Sequence, residues 1–168
     1  MPEPLVLEEL AASVVQRMTA RGLRLATAES TVGGLIGYAL TSVPGASKVF
    51  AGGVTAYANA PKREVLRVPA ATMDEYGSIS AGTVEAMANG ARELFGVDVA
   101  VAESGMAGPT QQRTQPGGLY YIGVVADGHE RVERYEFEGD RTETMREAAT
   151  VALWLVSDYL DSLDAEQS

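Results

Sequence analysis

The sequence contains no cysteine. That absence removes disulfides, thiolate zinc sites and a cysteine nucleophile together. Histidine is nearly missing too: His129 stands alone in "ADGHER", which reads as a turn between two strands. A Ser-His-Asp triad would have to use it. A metal site would need carboxylates almost alone, and no tight cluster of them occurs, so no metal is expected. Lysine is scarce, with only Lys48 and Lys62, and no basic run exists in a chain of net charge −10. A general nucleic-acid binder needs a basic face, so that class is set aside, and the acidity reads as solubility. No apolar run approaches the roughly 18 residues of a membrane span. The N-terminus, "MPEPLVLEELAASVVQRM", is acidic and amphipathic, unlike a secretory signal. A cytoplasmic protein without a membrane partner is expected.

What is present is an alternation of helical and strand patterns. The 168 residues fit one domain, with a core expected over about 5–160. Leu5, Leu10, Val14, Val15 and Met18 predict a helix over 4–21, stopped by Gly22 at C′. "LRLATA", 23–28, alternates like a strand. Val32, Leu35, Ile36, Ala39, Leu40 and Val43 share one face of a second helix, ended by Pro44-Gly45. "KVFAGGVTAYANA", 48–60, reads as a strand that its glycine pair can bulge. Pro61 opens a short helix over 61–67. A connector, 68–79, leads to Ser80, which can cap a helix with Val84, Met87, Ala88, Ala91, Leu94 and Phe95 on its apolar face. "VDVAVAES", 97–104, is nearly continuously apolar, as in a sheet covered on both faces. A 14-residue loop, 105–118, precedes a hairpin around Gly128. Asp140 with Glu143 forms a capping-box pattern that opens a last helix to about Leu163. The fold class predicted is α/β: a three-layer α/β/α sandwich with a mixed, mostly parallel sheet. Ligands in such sheets lie beyond strand ends, near helix N-termini.

Three polar places fall at those exits. The first is Ser30, before Gly33-Gly34 and a helix. Its hydroxyl suits an N-cap, and it suits equally a nucleophile whose oxyanion would meet the backbone N–H groups of residues 31–34. The glycines would let a substrate approach the backbone. A serine nucleophile needs a base, and lysine is an accepted one when it can lose its proton. Lys48 opens a strand at the wrong end. Lys62 sits in the first turn of a helix beside Arg63, where the helix end and the neighbouring cation both disfavour its charge; its alternative is a solvated surface lysine. Tyr57, five residues earlier, could relay a proton or orient the base, or could simply be a sheet-face aromatic. Ser104 and Gly105 begin a loop, "SGMAGPTQQRTQPGG", whose length suits function more than connection. Arg141 opens the last helix, where a cation opposes the helix dipole; a bound anion such as phosphate would account for it, as would a salt bridge to Glu143 or Asp140. No phosphate-loop or dinucleotide fingerprint occurs.

"TAESTVGGLI", "GGVTAYANAPKREVLRVP", "GSISAGTVEAMANGARELFGVDVAVAESGMAGP" and "FEGDRTETMREAAT" together resemble, in order and spacing, the CinA C-terminal domain family, the nicotinamide mononucleotide deamidases. The resemblance covers about residues 5–160. It implies hydrolysis of the carboxamide of nicotinamide mononucleotide to nicotinic acid mononucleotide and ammonia. It implies Ser30 as nucleophile and Lys62 in "Y-x-N-x-x-K", with Tyr57 nearby and no metal or organic cofactor. Thr31, Gly33, Gly34, Asn59, Ser104, Gly105, Gly108 and Arg141 are the expected substrate-binding residues. Longer relatives carry a further N-terminal domain, so a stand-alone form is expected, as is a homodimer or higher homo-oligomer. The chain departs from the family pattern at Thr31 and Val32, where relatives have Cys and Thr, at Ala60, where they have an acid, and across 110–116. The altered loop raises an alternative: a non-catalytic nucleotide-binding or interaction module of the same fold.

Overall fold

The computed structural model describes residues 6–109 and 115–168. In chain order the elements are α1 (Leu7–Arg21), β1 (Leu25–Glu29), α2 (Leu35–Thr41), a 3₁₀ turn (Ala46–Lys48), β2 (Phe50–Thr55), α3 (Asn59–Glu64), α4 (Ala70–Tyr76), α5 (Ala81–Phe95), β3 (Val99–Gly105), β4 (Leu119–Ala126), β5 (His129–Glu136) and α6 (Arg141–Glu166). One five-stranded sheet has the order β2-β1-β3-β4-β5. β1 pairs parallel with β2 and β3, while β4 is antiparallel to β3 and to β5, so four strands share one direction and β4 opposes them. The expected mixed α/β/α sandwich is what the chain forms.

Side-chain alternation along the strands divides the core into two layers. Leu25, Val99, Val101, Tyr120, Ile122 and Val124 face α1, α2 and α6. Ala26, Ala28, Ala100 and Ala102 face α4 and α5. Both faces of β1 are buried, so "LRLATA" does not alternate in exposure as it does in sequence. The alanines leave room for α5 to lie close to the sheet. Gly90 in α5 carries the same logic onto the other side, since a Cβ there would sit 1.9 Å from the Leu66 carbonyl oxygen.

Local signals set most boundaries. Gly22 adopts φ 68° and ends α1 as expected. Ser80 accepts a hydrogen bond from the Thr83 N–H and caps α5. Asp140 and Glu143 make the capping box of α6, which runs three residues beyond Leu163. The bulge expected in the glycine-rich strand occurs at Ala51, where Leu25 pairs with Phe50 and Ala26 with Gly52. Two expectations are corrected. The connector 68–79 contains α4, a helix that buries only Met73 and so leaves no apolar stripe to read. The second helix begins at Leu35 rather than near Val32, because Gly33 and Gly34 adopt φ 64° and 101° and hold residues 30–34 in a turn.

Parallel pairing brings the ends of β1, β2 and β3 to one edge of the sheet. The antiparallel β4 starts there, and α6 begins there after β5. None of the described helices is long and apolar enough to cross a membrane.

Candidate active site

That edge holds an open cleft of about 210 Å³, lined by Ser30, Thr31, Tyr57, Asn59, Lys62 and Arg141 together with Ser78, Ile79 and residues 104–107. A larger, more apolar hollow lies between α1 and α2, and its charged groups, Glu8 and Arg146, are paired with each other.

Ser30 is not an N-cap. The residue before α2 is Gly34, and no side chain of its own caps that helix end. The Ser30 hydroxyl instead lies 2.9 Å from Lys62 Nζ. Lys62 is 2 % exposed, far from a surface lysine. Its amine also donates to the Ala56 carbonyl at 2.8 Å and the Tyr57 carbonyl at 3.3 Å. A neutral amine has two N–H donors and one lone pair. Two carbonyls and one hydroxyl surround the amine, and once it is neutral its lone pair can take the Ser30 proton. Burial pushes the Lys62 amine below the usual lysine range, and Glu103 partly opposes this. The cause is desolvation rather than the helix end and Arg63: α3 has only six residues and Arg63 is exposed.

Tyr57 meets Lys62 through its backbone carbonyl. Its side chain is 66 % exposed, lies past the end of β2, and is not packed on a sheet face. The carbonyl, not the phenol, orients Lys62. His129 is at the far end of the sheet, opposite Ala126, with its ring against Tyr159.

Two buried carboxylates hold the turn that carries Ser30, and neither was singled out from the sequence. Glu103 Oε1 accepts from the Ser30 N–H at 2.6 Å and the Val32 N–H at 3.0 Å. Glu29 accepts from the N–H groups of Ile36 and Gly37 and serves as the cap of α2. Burial pushes both carboxyls up, Glu103 to about 7. Each follows an alanine and precedes a serine at the end of a strand, in "AES" at 28–30 and again at 102–104. Ala28 pairs with Ala102, so the two tripeptides lie side by side. The legible signal was an acid continuing the core-facing alternation of an apolar strand.

This arrangement narrows the oxyanion donors expected over 31–34. The Val32 N–H belongs to Glu103, and the Gly33 N–H bonds the Ser30 carbonyl at 3.3 Å. Among the described residues the Thr31 N–H makes no hydrogen bond, while the Gly34 N–H is turned toward the Glu29 carboxyl. The Thr31 hydroxyl donates to the Gly105 carbonyl and accepts from the Gly105 N–H, each at 2.8 Å, tying the turn to the end of β3.

The remaining predicted residues divide. Asn59, Ser104, Gly105 and Arg141 line the cleft. The Ser104 hydroxyl donates to the Ser78 carbonyl at 2.8 Å. Arg141 is exposed and, among the described residues, has no salt bridge to Asp140 or Glu143, which instead bond each other's backbone N–H. Gly33, Gly34 and Gly108 do not line the cleft. The first two shape the turn. Gly108 is buried with its N–H on Thr144, where a Cβ would meet the Gly139 carbonyl oxygen at 2.9 Å. Residues 110–114 of the altered loop lie outside the described residues. No cluster of metal-ligating side chains occurs among the described residues.

Fold and site thus define an α/β/α sandwich with a buried serine–lysine pair at its strand exits. Residues 7–160 match the CinA C-terminal domain family, and the chain belongs to it. It is 38 % identical over 157 residues to a CinA-like protein of Syntrophotalea carbinolica, covering 93 % of this chain and 38 % of that one. It is 37 % identical over 141 residues to a putative competence-damage inducible protein of Bacillus subtilis, covering 84 % and 34 %. The chain thus spans little more than a third of the length of these relatives. Among solved structures, a CinA superfamily protein of Klebsiella pneumoniae superposes with a TM-score of 0.89 at 31 % identity, covering 93 % of this chain and 98 % of that one.

Proposed function

We propose that the chain is an amide hydrolase that cleaves the carboxamide of nicotinamide mononucleotide to the acid and ammonia. The observation that carries this is the 2.9 Å contact between the Ser30 hydroxyl and a buried, desolvated Lys62 amine. The substrate follows from the family resemblance, and the cleft is consistent with it. Arg141 offers a guanidinium at the rim for a phosphate, and Asn59 and Ser104 offer polar groups on the walls.

Neutral Lys62 takes the Ser30 proton as Oγ attacks the amide carbon. The tetrahedral oxyanion is met by the Thr31 N–H. Collapse breaks the C–N bond, and Lys62 returns its proton to the departing nitrogen, which leaves as ammonia. Water, deprotonated by Lys62, then opens the acyl-enzyme and regenerates Ser30. One preorganised N–H donor is worth on the order of 3 kcal/mol of barrier, so Thr31 supplies a substantial part of the acceleration.

The test is ammonia release from nicotinamide mononucleotide and a panel of other pyridine amides. Ser30→Ala and Lys62→Ala are expected to lose at least about 10³-fold in kcat. Full activity in either variant removes the mechanism. A binding-only module predicts mononucleotide binding by calorimetry with no ammonia from the wild type; a Ser30–Lys62 pair within direct hydrogen-bond reach speaks for hydrolysis instead.

A further inference from the structure

Ser30 is gripped from two sides. Its hydroxyl meets Lys62, while its backbone N–H meets Glu103 across a 2.6 Å hydrogen bond from the neighbouring strand. The same Glu103 oxygen takes the Val32 N–H, so one carboxylate brackets the residue that would offer the oxyanion donor, Thr31. Glu103 Oε2 is buried with no partner among the described residues. A backbone acceptor alone requires no charge, and an amide oxygen would serve. A fully buried carboxyl with a spare oxygen is a costly choice for that task.

We propose that Glu103 is a positioning residue for the Ser30–Lys62 pair, fixing the backbone of the nucleophile's turn and standing behind it as the buried counter-charge of the amine. This rests on reading Ser30 and Lys62 as nucleophile and base, and it is independent of which amide they act on. Among the described residues, the charged and titratable groups facing Glu103 are few. Glu29 comes from β1, Lys62 from α3 and Tyr120 from β4, with Arg141 of α6 acting on Tyr120. Glu29 opposes ionisation of Glu103 and Lys62 favours it, in addition to the two N–H donors. An ionised Glu103 in turn holds the Lys62 proton more tightly, against the desolvation that loosens it. The carboxyl therefore sets how strong a base the amine is. Too weak a base would not take the hydroxyl proton, and too strong a base would not give it back to the leaving nitrogen.

The chain's two lysines make the test direct. Protein labelled with ¹³C at lysine Cε gives two signals, assigned with Lys48→Arg, and the Lys62 signal is titrated in wild type and Glu103→Gln. Glutamine keeps an acceptor oxygen for the turn and removes the charge. The expected result is a folded variant whose Lys62 midpoint falls by roughly half a pH unit or more. Ser30 reactivity is read in parallel with diisopropyl fluorophosphate. There the Oγ–P bond forms, the P–F bond breaks, fluoride leaves and the hydroxyl proton goes to Lys62. The acid limb of that rate is expected to move down with the Lys62 midpoint, and Glu103→Ala is expected to label several-fold more slowly at every pH. A Glu103→Gln variant that titrates and labels like the wild type overturns the role of the charge, and a Glu103→Ala variant that labels normally overturns the positioning. Should the variants not fold, ¹³C at the Glu103 carboxyl is titrated in the wild type: a curve with a second step at the Lys62 midpoint supports the proposal, and two independent curves overturn it. None of these readouts requires turnover of nicotinamide mononucleotide, so a failed ammonia assay leaves them standing.

Discussion

Placing an amine among two carbonyls and a hydroxyl changes which proton it keeps. Lys62 must be neutral to act, and burial lowers its affinity for the proton. kcat/KM is therefore expected to rise with pH as Lys62 loses its proton and to level off below the ordinary lysine value of 10.5. A pH–rate profile from 6 to 11 checks this, and an acid limb centred at the ordinary lysine value would show that burial does not lower the Lys62 amine. Much of the residue scale was legible in advance. A chain with one histidine, no cysteine and two lysines leaves few ways to activate a serine, and Lys62 alone stood at the right strand exit. What could not be read was direction. The backbone of Tyr57 orients the amine, its phenol does not, and sequence names side chains only. Glu29 and Glu103 carry no role in the sequence because a charged residue at a strand end is ordinarily solvated; only the fold turns these two inward.

The elements matter through how closely they approach one another. α5 crosses the segment that follows α3 with no side chain between, and Gly90 is the point of contact with the Leu66 carbonyl. Gly90→Ala is expected to destabilise the protein by about 1–3 kcal/mol, as overpacking does. Because Leu66 lies four residues after Lys62, the variant is also expected to move the amine away from Ser30 and slow serine labelling. Thermal melts and the fluorophosphate rate measure the two effects separately, and a variant that loses stability yet labels normally would uncouple α3 from α5. Long periodic helices, the capped termini and the hairpin could be read from sequence, since each carries a repeated or positional signal. α4 could not, because a seven-residue helix with one buried side chain has no period to detect. The late start of α2 was hidden likewise: the apolar spacing from Val32 is helical, but two glycines at positive φ hold the chain open ahead of it.

At the scale of the whole molecule, buried titratable groups make folding depend on pH. Glu103 holds its proton in the folded state up to about 7 and loses it near 4.5 when unfolded. Between those values the folded state binds the extra proton, so this group's contribution to stability is fully present below about 4.5 and is lost as pH rises to about 7. The total is about 3 kcal/mol. Lys62 acts oppositely and in a different window, since the unfolded chain holds its proton up to the ordinary 10.5 and stability recovers with pH there. Urea unfolding at pH 5 and pH 8 is expected to show lower stability at pH 8, with that difference reduced in Glu103→Gln and the remainder left to Glu29, which burial also pushes up. An undiminished difference in the variant would assign it to other groups.

Ser30, the helix α3 carrying Lys62, and Ser104 stand at the ends of three neighbouring parallel strands, β1, β2 and β3, at one edge. Adjacent strands in any sheet stand about 4.8 Å apart, a distance metered by their own hydrogen bonds. The sheet is thus a ruler for the chemistry. The strand ends fix where the Ser30 turn and the start of α3 lie, and α3 carries the amine across the remaining gap to the hydroxyl. The same graduation sets the floor of the cleft at two intervals, roughly 10 Å, the width of a single small molecule lying across it.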